Sequence, residues 1–317
     1  GFVMPDVVSL RTLCIKVPGL MLSVAAGMAL GKEGPLVHVA VCWAQLLSGL
    51  FPQFQNEGKR RELFSAAAAA GVSTAFGAPL GGVLFSLEEV SSHFPSRTLL
   101  RAFTAAVTAA VVLTLLHTTD TQGITLFSVE YRTTCHPYEY IGFALLGVVG
   151  GLVGAAFNIA NVRWSEFRAH PGFRRRVHGI AEVALIAFAT LVSSWPFAFT
   201  QPLSADAIHA MFKDCSRPAL NNTELRAHLG LCTADGRYAP PTGRLMAALA
   251  SAAAVRLAQL TLTFGTACPA GLFVPSLFTG ACLGRCMGVA MQAANAGHRL
   301  FERDVEPGVY AMVGAAA

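Results

Sequence analysis

The residues of this chain best suited to chemistry are Gly31-Lys32-Glu33-Gly34-Pro35, an acid and a base set among small residues in a strongly apolar region. Pro35 suits the first turn of a helix, where a missing N–H costs nothing, and Gly31 and Gly34 let the backbone approach a ligand closely. An uncharged run, 34–56, follows at once. A helix that begins inside a membrane leaves several N–H groups unpaired, and their partial positive charge favours an anion. Glu33 is itself an anion at that position. The pentapeptide therefore reads as an anion site whose occupant is either a diffusible ion or the tethered carboxylate, and such a site is a gate.

Its pattern, Gly-x-x-x-Pro opening an apolar helix, recurs at Gly271-Leu272-Phe273-Val274-Pro275. Broken segments at corresponding places in two halves point to an inverted-repeat transporter with its site where half-helix N-termini converge. On that reading the amides around Gly34 and those of Leu272 and Phe273 face one anion. Two unrelated helices, each opened by a proline, would show the same spacing. A third feature is Leu87-Glu88-Glu89-Val90, where adjacent carboxylates end an apolar run. Neighbours on a helix point about 100° apart, so at most one of the two faces the interior. An acid near the hydrocarbon is either a proton relay or an interfacial residue at a helix end, and both readings fit.

These features need a membrane around them. The chain has 317 residues, of which 54% are hydrophobic and 13% charged, too apolar for a soluble domain of that length. Uncharged stretches recur at 17–31, 34–56, 63–87, 102–119, 141–162, 183–205, 257–284 and 307–317, most of them long enough as helix to cross about 30 Å of hydrocarbon. Gly and Pro interrupt several, which predicts broken or tilted helices packed inside protein, because irregular backbone facing lipid stays unsatisfied. A hydrophilic segment, 120–140, divides residues 1–119 from 141–317. The chain has no initiating Met and stops within an apolar segment, so it reads as incomplete at both ends.

Charge and cysteine placement set a topology. Basic residues cluster at Lys59-Arg60-Arg61 and across 163–176, and by the positive-inside tendency both loops face the cytosol. Topology accounts for these clusters without nucleic acid. Of eight cysteines, Cys215 and Cys232 lie in the polar segment 201–243 with the sequon Asn221-Asn222-Thr223. A glycan at Asn221 and a cysteine pair both belong to a lumenal or extracellular compartment, although two free thiols in an ordinary loop fit as well. Cys282 and Cys286 stand four apart in an apolar helix without His or carboxylate at ligand spacing, and read as core rather than metal ligands. The run 66–82, with five consecutive alanines and then Gly71, Gly77, Gly81 and Gly82, predicts close helix packing. Gly147, Gly150, Gly151 and Gly154 make a second small-residue face, for which packing within the chain is the commoner use and dimerisation the other.

The stretches Gly31-Lys32-Glu33-Gly34-Pro35-Leu36-Val37-His38, 77–90, Gly271-Leu272-Phe273-Val274-Pro275-Ser276 and 307–317 together resemble the CLC family of chloride channels and chloride/proton exchangers. The resemblance covers essentially the whole chain and is greatest to the eukaryotic endosomal exchanger branch, whose long lumenal loop also carries a cysteine pair. It implies an all-α integral membrane fold, an inverted-repeat bundle of tilted and broken helices assembled as a homodimer with one pore per subunit. It implies that Glu33 gates, that Glu89 transfers protons, and that backbone groups at Glu33, Gly34, Leu272 and Phe273 bind chloride. The family's Gly-Ser-Gly-Ile-Pro helix start is expected just before Gly1 and its pore tyrosine beyond Ala317. At Thr266-Ala267-Cys268-Pro269-Ala270 this chain departs from relatives that tend to carry a lysine and no cysteine.

A voltage-dependent chloride/proton antiporter of an endosomal, lysosomal or vacuolar membrane is the function this implies, with the plasma membrane as a further location and bound chloride but no cofactor. Channel members of the family typically lack an acid at the position of Glu89, which favours exchange over a passive channel. A membrane-embedded enzyme finds no His-Glu-x-x-His, no Gly-x-Ser-x-Gly and no pair of intramembrane aspartates here. A structural scaffold would move no ions, so flux separates it from a transporter.

Overall fold

A computed structural model describes residues 7–91, 95–116, 137–176, 178–213, 215, 229–233, 238–298 and 305–317. The chain forms two compact units. One comprises Gly1–Ala25, Gly31–Ser128 and Cys268–Gly271, the other Ala26–Leu30, Val129–Ala267 and Leu272–Ala317. Neither is continuous in sequence: each half claims one short segment that a simple division at 120–140 would give to the other.

In the first unit the helices are α1 (Leu10–Ala25), α2 (Glu33–Ser48), α3 (Glu57–Phe76), α4 (Pro79–Phe85) and α5 (Ser96–Leu116). The Asn56 side chain caps α3 by accepting the Gly58 N–H at 2.8 Å. At the other end Gly77 takes φ 63°, a left-handed conformation that suits glycine, and Pro79 then opens α4. The uncharged run 63–87 is therefore two helices, as its Gly and Pro content predicts. Helix α3 is the centre of this unit, packed against α2, α4 and α5. Its small residues make that packing close: a Cβ on Gly71 would stand 2.9 Å from the Cα of Val37, and one on Gly82 would run into the Ala69 carbonyl. Ala66, Ala69, Val83, Ala102 and Ala106 form the core between them, and the Ser73 hydroxyl donates to the Ala106 carbonyl at 2.7 Å. In lipid, where apolar side chains gain nothing by leaving solvent, such backbone approach and interhelical hydrogen bonding supply the association.

In the second unit the helices are α6 (Glu139–Ala169), α7 (Pro171–Arg176), α8 (Gly179–Ser194), α9 (Ser204–Phe212), α10 (Gly243–Thr263), α11 (Phe273–His298) and α12 (Pro307–Ala316), with a 3-10 turn at Ala198–Thr200. The run 257–284 is also broken: α10 ends at Thr263, Gly265 turns the chain with φ 85°, and α11 starts afresh at Phe273. Helix α11 is the centre of this unit, lying against α9, α10 and α12. Its Gly280, Gly284 and Gly288 face Gly314, Tyr310 and Pro307 of α12, so that a Cβ on Gly284 would collide with the Tyr310 carbonyl and one on Gly288 would stand 2.7 Å from the Pro307 Cα.

The glycine face of α6 behaves differently from the expectation of packing within the chain. Where a Cβ would stand on Gly147, Gly151 or Gly154 there is nothing within 4 Å among the described residues, and of the four only Gly150 meets one of them, the backbone of Ala317. Sequence spacing marks a face that permits approach but not the element that approaches. Helices α5, α6, α10 and residues Phe273–Asn295 of α11 are long and apolar enough to cross a membrane.

Cys215 and Cys232 are joined as a disulfide with Cα atoms 5.6 Å apart, and Cys232 pairs with Tyr238 in an isolated antiparallel bridge. Non-reducing peptide mapping of protein from its native membrane is expected to recover the two cysteine peptides linked. Recovery of both thiols free would remove the staple. Asn221 lies outside the described residues.

Candidate functional site

Helix α2 begins at Glu33 with Lys32 as its N-cap residue, and no side chain caps it. Its first intrahelical bond runs from the Leu36 N–H to the Lys32 carbonyl at 2.9 Å. The amides of Glu33 and Gly34 precede that bond, and Pro35 has none to offer. A helix end in this state presents positive partial charge and unspent donors.

Glu33 is 3% exposed, and neither of its carboxylate oxygens has a hydrogen-bond partner among the described residues. The N–H groups of Lys32 and Glu33 lie near enough to act on it electrostatically without meeting bonding geometry. A buried carboxylate without full hydrogen bonding is costly, by about 1–3 kcal/mol or more for a charged group. A proton on this acid would relieve that cost.

The loop before α2 is locked to the start of the second motif. Gly31 and Gly271 exchange two backbone hydrogen bonds, Gly31 N–H to Gly271 carbonyl at 2.7 Å and the reverse at 2.9 Å. Segment Cys268–Gly271 belongs to the same unit as α2. A Cβ on Gly271 would stand 2.8 Å from the Gly31 carbonyl oxygen and 3.3 Å from Pro35 Cδ, so a side chain there would force the strands of this bridge apart. The glycines needed for close approach are thus used here on each other.

Helix α11 repeats the local design of α2. Its first bond joins the Ser276 N–H to the Leu272 carbonyl at 3.1 Å, Phe273 and Val274 precede it, and Pro275 occupies the place of Pro35. The Ser276 hydroxyl turns back onto the carbonyls of Leu272 and Phe273, at 2.9 and 2.8 Å. Helix α11 belongs to the second unit.

Glu88 and Glu89 occupy a π-helical turn, Ser86–Val90, at the end of α4. Such turns change the angular offset of successive side chains and are frequent at functional sites. Ser86 Oγ donates to the Ser65 carbonyl at 2.7 Å, and the hydroxyls of Ser65 and Ser91 lie 2.6 Å apart, fixing the turn against α3. Both carboxylates are exposed in this chain, so neither takes the inward place that adjacency leaves open to one of them.

Several polar side chains inside the apolar helices escape a reading based on motifs. Lys16 on α1 lies 2.5 Å from His38 Nδ1 on α2, and His38 Nε2 lies 3.0 Å from the Val7 carbonyl. With the lysine donating to Nδ1, the ring proton sits on Nε2 and is donated to Val7, a neutral imidazole tying two helices together. Arg285 on α11 is 1% exposed, donates to the Met211 carbonyl at 2.9 Å and lies over the Tyr238 ring. Arg256 on α10 is 3% exposed. Both arginines flank the uncharged run 257–284. The usable signal was the helical register, which carries each of them onto a packed face.

Comparison with known proteins supplies the family. The model of the voltage gated chloride channel family matches residues 3–317. The chain is 41% identical over 336 residues to H(+)/Cl(-) exchange transporter 3 of Homo sapiens and 40% identical over 335 residues to H(+)/Cl(-) exchange transporter 5 of Homo sapiens. In both cases the alignment takes in 100% of this chain and 41% of the relative. Among solved structures, a eukaryotic CLC transporter superposes with TM-score 0.71 at 26% identity, covering 98% of this chain and 47% of that one. The fold is also that of a slow cyanobacterial Cl-/H+ antiporter, with TM-score 0.71 at 20% identity over 99% of this chain and 64% of the other. This chain belongs to the voltage gated chloride channel family, an all-α integral membrane fold. It spans about two fifths of the length of the curated relatives it matches.

Proposed function

We propose that this chain carries the ion-binding core of a voltage-dependent chloride/proton exchanger, with Glu33 as a tethered carboxylate that competes with chloride and Glu89 as the residue that passes protons. The observation that carries the reading is the burial of Glu33 at an uncapped helix start with both oxygens unbonded. A carboxylate held there can be displaced by chloride and is released when protonated, so one side chain couples two ions. Each helix start is assigned as an anion-binding end, through the amides of Glu33 and Gly34 on α2 and of Leu272 and Phe273 on α11. Gly31, Lys32, Pro35, Gly271 and Pro275 set the local geometry of these starts. The relatives are transporters by name, and no enzymatic step is assigned to this chain.

Assembly is proposed as a homodimer in an endosomal, lysosomal or vacuolar membrane. The disulfide suits the oxidising side of such a membrane, and Asn221 in the same segment is the proposed glycan acceptor. Removal of a glycan from Asn221 by glycosidase is the expected result, with Lys59–Arg61 and residues 163–176 open to protease only from the cytosolic face. Cleavage within 163–176 from the lumenal face would invert the topology. Function is tested by reconstituting the full-length protein in vesicles and recording chloride movement with pH. Chloride moving against protons is expected; chloride without protons would leave a passive channel, and neither would leave a scaffold.

A further inference from the structure

Arg256, on α10 of the second unit, is a buried charge held by neutral groups. Its Nη1 donates to Gln259 Oε1 at 3.3 Å, its Nη2 to the Thr200 carbonyl at 3.1 Å, and its guanidinium carbon lies 5.1 Å from the centroid of the Phe278 ring on α11. Its Nε has no partner among the described residues. Around it the network remains neutral: Gln259 Nε2 lies 2.8 Å from Ser193 Oγ and 2.9 Å from Ser194 Oγ on α8. Ion pairs among the described residues join Arg60 and Arg61 to Glu57, Arg101 to Glu62 and Arg168 to Glu182, and Arg256 is in none of them.

A buried guanidinium without a carboxylate is expensive, and within a membrane such a residue is a functional candidate by default. Phe278 stands five residues after Phe273 on α11, a rise of about 7.5 Å at about 1.5 Å per residue. The guanidinium therefore lies on the order of 10–15 Å from the helix start to which chloride is assigned. We infer that Arg256 is a positioning residue for the anion: it touches no chloride, but its unneutralised charge raises the affinity of the α11 start for one. This rests on the proposed exchanger reading. Two unit charges about 12 Å apart at an effective dielectric constant of about 20 interact by about 1.4 kcal/mol, which is about tenfold in affinity.

The test uses the full-length protein in detergent, with chloride affinity by titration calorimetry and thermal unfolding recorded beside it. Arg256→Gln removes the charge. Gln259→Glu leaves Arg256 in place but sets a carboxylate against its Nη1, where the serine hydroxyls can turn to donate, so it neutralises the charge without emptying the space. Arg256→Lys keeps the charge and loses the planar fork. Both neutralising variants are expected to bind chloride about tenfold more weakly, with Arg256→Lys within about twofold of wild type. Wild-type affinity in Gln259→Glu, whether or not Arg256→Gln folds, overturns the inference, as does a lysine variant as weak as the glutamine one. Absence of chloride binding in the wild type would instead strike the exchanger reading itself.

Discussion

Replacing Glu33 with Ala in the full-length protein is expected to leave chloride flux intact and to abolish its coupling to protons. The substitution removes the tethered competitor from the start of α2, where the carboxylate is buried and unbonded, and leaves the backbone donors to a diffusible anion. Replacing Glu89 with Ala leaves the competitor in place and removes the acid at the end of α4, so proton transport is expected to fall to background while Glu33 is reloaded poorly. The energies suit voltage control: one charge moved through about 100 mV gains about 2.3 kcal/mol, against about 0.3–2 kcal/mol by which a helix end favours a charge. Voltage can therefore bias occupancy by Glu33 directly. Chloride current and pH change recorded together in vesicles decide the matter. Full proton-coupled flux in Glu89→Ala would remove that residue from the proton route, and unchanged coupling in Glu33→Ala would remove the gate.

The largest structural effect is expected at Gly284. A methyl group there would collide with the Tyr310 carbonyl and stand 3.0 Å from the Ala311 Cα, backbone atoms that move only if α11 and α12 separate. Gly284→Val is therefore expected to destabilise by about 1–3 kcal/mol or more, the range for overpacking a close-packed interior. Gly147→Val serves as its partner experiment, because nothing among the described residues lies within 4 Å of its added Cβ. Unfolding midpoints of the two variants in detergent are expected to differ, with Gly284→Val the lower. Equal midpoints would mean that the contact of α11 with α12 does not hold the fold together.

The contrast between these glycines marks how far spacing alone could be read. The Gly-x-x-x-Gly pairs at 147–154 stand alone in an apolar helix, and among the described residues they meet almost nothing. The equally regular Gly280, Gly284 and Gly288 carry the tightest approach in the second unit, yet they follow a stronger motif and pass as its continuation. A glycine shows where a neighbour is permitted; which neighbour comes is a property of the whole fold.

The amino-acid sequence by itself determined the membrane class, the opening of apolar helices at the two Gly-x-x-x-Pro motifs and the presence of breaks within the apolar runs, because apolar content, Gly, Pro and N-terminal amides act over a few residues. It also placed Glu33 as the chemically informative acid, since a carboxylate at an apolar helix start has no local excuse. Only the tertiary structure decided that Gly31 and Gly271, 240 residues apart, bond to each other, that both Glu88 and Glu89 remain exposed on a π turn, and that Arg256 has only neutral company. Those outcomes depend on which helices meet. Local propensity sets where a helix begins, but the pairing of distant backbone groups and the burial of a charge are fixed by packing among elements far apart in the chain.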